Sequence, residues 1–321
     1  MPVRFTTPSL GGQSGLDVGE KEWQVGVAYR RLTADEWFVG SELRPDKAPF
    51  GKPLSLNINS LDLTVRYGVT SRVNLALTLP FSYGVQQRFY ADGQSHRVSA
   101  GGLGDISLIA NAWLRDPAGN QTSNMAFGVG VKTPSGNNNV RDDFFTTTGA
   151  TRAPVDQSIE LGDGGWGVIL QSQAYTSLRG GVFAYAAAWY LLSPNRKTAV
   201  QFPKSDGTGS GTYLSVPDVY SARVGVARLI SSKRGWLGTL GARVDGIPSR
   251  DVIGGGDDGF RRPGYSLFAD PGMSVTLGTG TFTVNVPVRI GLKFDPDITP
   301  GHPVGGDLAK YLFFAGYTVR F

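Results

Sequence analysis

The segment FTVNVPVRIGLKF, residues 282–294, sorts its side chains into two sets with a period of two residues. Phe282, Val284, Val286, Val288, Ile290, Leu292 and Phe294 form one set, and Thr283, Asn285, Pro287, Arg289, Gly291 and Lys293 the other. A helix would scatter both sets around its circumference, whereas an extended strand holds them on opposite faces. The same alternation recurs in about twelve segments: 23–31, 54–67, 72–83, 104–114, 124–132, 165–177, 182–192, 217–230, 236–245, 265–277, 282–294 and 311–321. Most run to roughly 9–14 residues, longer than the 5 or 6 usual in soluble strands and suited to the 9–11 that a tilted strand needs to cross a bilayer. In the second segment the apolar phase slips, from Leu54, Leu56 and Ile58 to Leu61, Leu63, Val65 and Tyr67, which predicts a β-bulge near Asn59 and Ser60.

The connections alternate as well. GVTS (68–71), SLRGG (177–181), SSKRG (231–235) and GTG (278–280) read as tight turns, with RDPAGNQT (115–122) only slightly longer. Between them lie long polar stretches at 32–53, 84–103, 133–164, 193–216, 246–264 and 295–310. Short turns on one rim and long loops on the other are the layout of an outer-membrane barrel, with periplasmic turns and extracellular loops. The predicted fold class is therefore all-β: a transmembrane, antiparallel, up-and-down β-barrel of about 12 strands over residues 23–321. Residues 1–22 are expected to form a periplasmic or luminal segment.

Composition is consistent with this and closes other routes. Of 321 residues, 45 are Gly and 19 Pro, while only 18% are charged, which fits turns and strands better than ion-laced helices. There is no Cys, so neither a disulfide frame nor a thiolate metal site is available. The formal charge is +5, but Lys and Arg are spread along the chain rather than clustered, so no nucleic-acid partner is expected. The longest apolar run, VFAYAAAWYLL at 182–192, is too short for a spanning helix. MPVRFTTPSL has no apolar signal core, so an exported form is expected to have had its leader removed.

Alternation alone does not distinguish a soluble barrel with an oily interior from a membrane barrel with an oily exterior. Three features favour the membrane and place the chain in the bacterial outer membrane, surrounded by lipid and lipopolysaccharide. The polar faces carry many small residues, as in Ala126, Gly128, Gly130 and Lys132, which suits a crowded lumen. Aromatics sit near strand ends, among them Trp23, Tyr67, Phe81, Trp166, Trp189, Trp236, Tyr265, Phe282 and Phe294, as expected for interfacial girdles. The chain closes on YLFFAGYTVRF, a strand that must pair with the first because hydrocarbon tolerates no open sheet edge. Gly316, Val319 and Phe321 resemble the C-terminal signal by which the outer-membrane assembly machinery recognises its clients, and Phe314 departs from it.

Strand phase points Arg30, Arg66, Lys132, Arg223, Arg243, Arg289, Lys293 and Arg320 into the lumen, against Asp62, Asp105 and Asp245. Arg223 and Arg289 fall near mid-strand and are the candidates for a constriction. A water-filled lumen with this cation excess would favour anions; arginines paired to the acids would instead plug it. RYGVTSRVNLALTLPFSYG (66–84), GGLGDISL (101–108) and GVKTPSG (130–136) resemble the bacterial outer-membrane family known as the MetA-pathway of phenol degradation proteins. That resemblance implies a barrel that passes small solutes, with aromatic molecules as candidates, and carries no catalytic motif.

Little chemistry competes with this reading. The two histidines, His96 and His302, lie in predicted loops, and Ser95 beside His96 is a poor triad partner because sequence neighbours seldom face each other productively. The acidic clusters VRDDFF (140–145), GGGDDGF (254–260) and FDPDITP (294–300) lack the spacing of a calcium loop. No phosphate-binding or dinucleotide fingerprint occurs, so no cofactor or metal is expected. The sequence thus predicts a passive channel for small solutes, aromatic or anionic molecules among them, and not an enzyme. The alternatives are a non-conducting structural or adhesive barrel, and a membrane-embedded hydrolase.

Overall fold

The computed structural model describes residues 18–52, 54–120, 122–204, 210–231, 235–253, 259–295 and 305–321. His302, residues 1–17 and parts of the acidic stretches 254–260 and 294–300 lie outside the described residues. Among the described residues, 12 antiparallel strands close into a barrel. They are β1 (Trp23–Val39), β2 (Ser55–Gly68), β3 (Val73–Phe89), β4 (in two pieces, Ser95–Leu103 and Ser107–Trp113), β5 (Ser123–Lys132) and β6 (Gly167–Ser177). The second half comprises β7 (Val182–Leu192), β8 (Val219–Ser231), β9 (Trp236–Ile247), β10 (Gly264–Leu277), β11 (in two pieces, Gly280–Asn285 and Val288–Phe294) and β12 (Gly305–Arg320). β12 pairs with β1 from Gln24↔Arg320 to Val39↔Gly305, so no edge remains. Trp23 and Phe321 exchange backbone hydrogen bonds at the seam, 2.9 and 3.3 Å long.

Each short turn occupies one rim. On the other rim the strands run further than their hydrophobic patterns. β1 continues to Val39, and the expected loop at 84–103 is mainly an extension of the β3–β4 hairpin, turning at Tyr90–Gln94. These extensions stand clear of the apolar belt, so they carry no lipid-facing alternation to mark them. The 133–164 stretch contains its own hairpin, Arg141–Thr146 paired with Gly149–Pro154.

The outer wall is apolar. Val129 (56% exposed), Val224 (59%), Leu240 (59%) and Ile290 (62%) belong to a belt of exposed aliphatic side chains far larger than a soluble surface tolerates. The inward positions between them are polar: Gln24, Asn74, Asn111, Asp62 and Arg66 are all at least 96% buried. Replacing Leu240 by Arg should therefore cost about 2–4 kcal/mol of folding stability in lipid, whereas the same charge at inward Ala187 should cost much less. Urea unfolding in vesicles would check the contrast.

The predicted bulge at Asn59 and Ser60 does not occur. β2 pairs with β3 without interruption, Asn59 opposite Tyr83 and Ser60 opposite Ser82. What changes there is which face is apolar. Leu56 and Ile58 point inward to a buried cluster, while Leu61 faces lipid at 44% exposure. The long-loop half of the lumen thus has a large apolar interior, against the smaller Trp113–Ala126 cluster near the short turns. The same inversion explains Phe294, which is 4% exposed and packs inside on Leu308 and Phe38 rather than in a girdle. Trp189 also lies inside, packed with Ile109, Ile169 and Leu191.

The two prolines mark interruptions. Pro287 divides β11, and the register shifts between the Leu267 and Phe268 pairs beyond it. Pro80 lies opposite the break in β4, where its carbonyl accepts the Gly104 N–H at 2.7 Å.

Candidate pore and its lining

Two polar systems line opposite walls of the lumen. On the β1–β6 wall, Gln24 accepts from Arg66 (2.7 Å), Arg30 pairs with Asp62 (3.2 Å), and Asn111 links Asn74 (3.1 Å) to Gln171. On the β7–β12 wall, Arg223 pairs with Asp270 (2.7 Å) under the Tyr185 ring, and Asn285 donates to Asp270 at 3.3 Å. Arg243 pairs with Asp245 (2.9 Å) and stacks over Phe314. Such pairs exist because a lone buried charge is far more costly than one matched by a partner and hydrogen bonds. Asp270, which phase counting left out of the lumen's acids, sits one strand beyond Arg243, and no linear spacing announces it.

Arg223, Arg243, Arg66 and Asp245 are thus buried within the barrel. Lys293 is different. Its side chain is 55% exposed beside Asp295, opposite Tyr265, because the shifted register beyond Pro287 turns Leu292 and Phe294 inward. Arg289 is partly buried at the long-loop end rather than mid-barrel, bonded to Glu36 and to the carbonyls of Leu308 and Ala309. Arg320 lies at the seam opposite Gln24. Gly316 and Val319 pair with Ala28 and Val25, and Phe321 is 73% exposed.

Asp105 and Lys132 serve the loop. Lys132 Nζ reaches Asp105 (3.1 Å), Asp163 (2.5 Å) and the Gly165 carbonyl (2.6 Å), and the other Asp105 oxygen accepts the Gly136 N–H. This knot clamps both roots of residues 133–166 where β4 leaves the ladder. From there the segment folds into the lumen. Phe144, Ala153, Val155 and Ile159 are buried with Leu32, Leu56, Val98, Phe268 and Leu312, which line both walls. Gly84 makes this approach possible: a Cβ there would lie 2.7 Å from Ile159 Cγ2.

Further ties hold the segment. The Ser99 N–H donates to Asp142 (2.8 Å), and Phe145 stacks on His96 at 3.6 Å. The Arg88 guanidinium lies over the rings of Tyr90 (4.4 Å), Phe144 (5.3 Å) and Phe202 (5.7 Å). On the far wall, Arg262 donates to Asp156 at 3.2 Å. The 133–166 segment therefore crosses the lumen from β3–β4 to the foot of β10, a placement that its polar composition conceals.

Burial works against the Asp156 charge, yet Arg262 and the Ser158 N–H and hydroxyl hold its carboxyl well below the usual carboxylate range. A depressed folded-state pKa means that this tie is fully present above the ordinary value and is lost only as pH falls through the lowered one. Conductance should accordingly stay flat from pH 7 to about pH 4, where ordinary carboxylates titrate. In Arg262→Gln that tie is absent at every pH and burial pushes the Asp156 carboxyl upward, so a pH dependence of conductance should appear within that window. A planar-bilayer pH series on both proteins would test this.

His96 meets Asp92 at 2.6 Å, but Ser95 Oγ takes its hydrogen bond from Gln87. Among the described residues no serine hydroxyl reaches the His96 ring, so no nucleophile–base pair is assembled there. The described residues likewise contain no group of acids and histidines able to hold a metal ion.

A closed barrel with an apolar outer belt and an ionic interior defines a transmembrane β-barrel of the outer-membrane type. No family model matches the chain, and no curated protein matches it. Among solved structures it is similar to an outer membrane channel from Pseudomonas putida F1, with 14% identity, a TM-score of 0.67, and coverage of 97% of this chain and 100% of that one. The translocator domain of the autotransporter NalP from Neisseria meningitidis is similar at 14% identity and a TM-score of 0.50, over 96% of this chain and 91% of that one. At such identities the likeness is one of fold.

Proposed function

We propose that the protein is a passive channel of the bacterial outer membrane for small solutes, narrowed from the long-loop side by residues 133–166. The observation that carries this reading is the charged and amide-lined lumen beneath a segment attached by a few polar ties. A barrel serving only as a rigid post gains nothing from charges in its interior, which are often no more stabilising than apolar packing, whereas passage of polar solutes needs a polar lining. The resemblance to the MetA-pathway family and the fold shared with the Pseudomonas channel support the same reading.

The lining also revises the expected selectivity. Arg30, Arg223, Arg243, Lys132 and Arg289 each face a carboxylate, so the excess of cations is largely cancelled. The constriction should pass small neutral or amphipathic solutes with weak charge preference. Between the barrel wall and the inward segment only a small cavity of about 30 Å³ remains, lined by Leu32, Ile58, Ile159, Leu312 and Phe314 and by Arg30, Arg31, Ser60, Ser82, Ser158 and Glu160, so solute passage there requires the segment to move. Single-channel recording in asymmetric KCl should give a reversal potential near zero. A strong anion preference would overturn the paired-lumen reading, and silence at every voltage with folded protein would overturn the channel itself. The C-terminal triplet Gly316, Val319 and Phe321 is proposed as the contact with the assembly machinery, with Phe321 free to be gripped at the seam.

A further inference from the structure

The outward side chains of β1 run Trp23, Val25, Val27, Tyr29, Arg31, Thr33 and Asp35 toward the long loops. The strand from Trp23 to Thr33, tilted by about 40°, rises roughly 25 Å, the height of a barrel's apolar band, so Arg31 and Thr33 stand at its outer edge. There the outer wall turns polar. Arg30 and Leu32 are buried inside, so Arg31, whose backbone borders the lumen cavity, sends its exposed side chain to the outside. A bulge lies at the same level, where Lys310 and Tyr311 of β12 face the single Thr33. Both are exposed, and Lys310 sits diagonally across from Arg31, a separation of about 7–8 Å in a paired ladder.

Two amides on β2 complete the patch. Asn59 lies directly opposite Arg31, and Asn57 opposite Thr33. The Tyr29 hydroxyl donates to Asn59 Oδ1 at 2.6 Å, and the Thr33 hydroxyl donates to Asn57 Oδ1 at 3.1 Å. Each bond occupies the amide's acceptor and leaves its NH2 group as a donor. Among the described residues neither Arg31 nor Lys310 has a hydrogen-bond or ion-pair partner, and the exposed Asp35 pairs with neither. The patch is bracketed by Phe313, whose ring meets Tyr29 edge-on at 6.2 Å, and by Tyr83 opposite Asn59. Just below it the wall is apolar again, with Val27, Leu61 and Phe81 exposed at 41%, 44% and 44%.

We propose that this patch binds the phosphate of an anionic outer-leaflet lipid, lipopolysaccharide, at the seam where β12 meets β1; the inference rests on the outer-membrane fold and is independent of conduction. Charge complementarity selects the ligand. Two unpaired cations and two amide donors face outward, and a phosphate supplies negative acceptor oxygens to all four, with the guanidinium able to grip it bidentately. A zwitterionic headgroup would bring its own ammonium against Arg31 and Lys310. A free phosphate would leave the apolar wall below unused, whereas the acyl chains of the same lipid cover Val27, Leu61 and Phe81.

The test is native mass spectrometry of the folded protein released from detergent, loaded with bisphosphorylated lipid A, with its dephosphorylated form, or with lipid A against sodium phosphate. Saturable binding of a single lipid A is expected, weakened about tenfold or more in the double variant Arg31→Gln with Lys310→Gln. Arg228, exposed on the outer face of β8 near the short-turn rim, is the control, and Arg228→Gln should bind as the parent does. Heat-shifted electrophoretic mobility checks folding, and the single variants keep the test valid if the double variant does not fold. The proposal is overturned if the folded variants bind lipid A as the parent does, or if Arg228→Gln weakens binding equally. It is also overturned if dephosphorylated lipid A binds as well as the phosphorylated form, or if equimolar sodium phosphate displaces lipid A.

Discussion

Excising residues 141–154 and joining Val140 to Val155 through two glycines should leave the barrel intact and raise single-channel conductance several-fold. The splice is geometrically mild, because Val155 already donates its N–H to the Val140 carbonyl at 2.9 Å. The Lys132–Asp105–Asp163 knot at the loop's roots is untouched, and no barrel strand loses a pairing partner. What leaves is Phe144 and Ala153, together with the stack of Phe145 on His96 and the Asp142 tie to Ser99. Leu32, Leu56 and Val98 would then face water, so the change also costs apolar burial, about 25 cal/mol per Å² newly exposed. That loss falls within the lumen, and the lipid-facing belt that keeps the barrel inserted is unaffected. A Gly84→Leu variant should move conductance the same way by displacing Ile159, without shortening the chain. Unchanged conductance in both, with heat-shifted mobility intact, would show that the segment does not narrow the path.

The barrel was legible in the sequence because lipid enforces it: every second residue must be apolar through the bilayer, and most of the predicted segments align with observed strands. The lumen was legible only where it resembles water. In the short-turn half, inward Gln24, Arg66 and Asn74 alternate with outward apolar residues, and simple phase counting works. In the long-loop half the inward face is itself apolar, so Leu56 and Ile58 imitated a slipped strand, and Phe294 imitated a girdle residue. Lys293 breaks the expected phase for a related reason: Val288 and Ile290 still face outward beyond Pro287, and only at the register shift between the Arg289 and Gly291 pairs do Leu292 and Phe294 turn inward. Partnerships across the lumen, such as Arg262 with Asp156, bridge residues 106 positions apart, and nothing local encodes them. Asp105 and Lys132 point inward as phase counting expects, and the β4 break places them at the roots of the 133–166 segment, which no local spacing announces.

Replacing Arg223 by Ala should be the most damaging single change inside the lumen. Asp270 is 1% exposed, and its side-chain partners are Arg223 at 2.7 Å and Asn285 at 3.3 Å. Removing the guanidinium leaves a buried carboxylate with one amide donor, a loss of about 3–5 kcal/mol in comparable buried pairs. Asp270→Ala should cost a similar amount, since it strands Arg223 against Tyr185 and the neighbouring Arg243 cation. The double variant Arg223→Leu with Asp270→Leu removes both charges and refills the space, so it should recover most of that loss. Urea unfolding in vesicles would give the three stabilities. Conductance supplies the second axis, because the refilled lumen should fold well yet conduct less, having exchanged an ion pair for leucine. If the double variant is as unstable as the singles, the pair is not an isolated unit and Asn285 or Arg243 must share its charge. If it is stable and conducts as before, the water path does not pass this pair, and the constriction lies wholly in the inward segment.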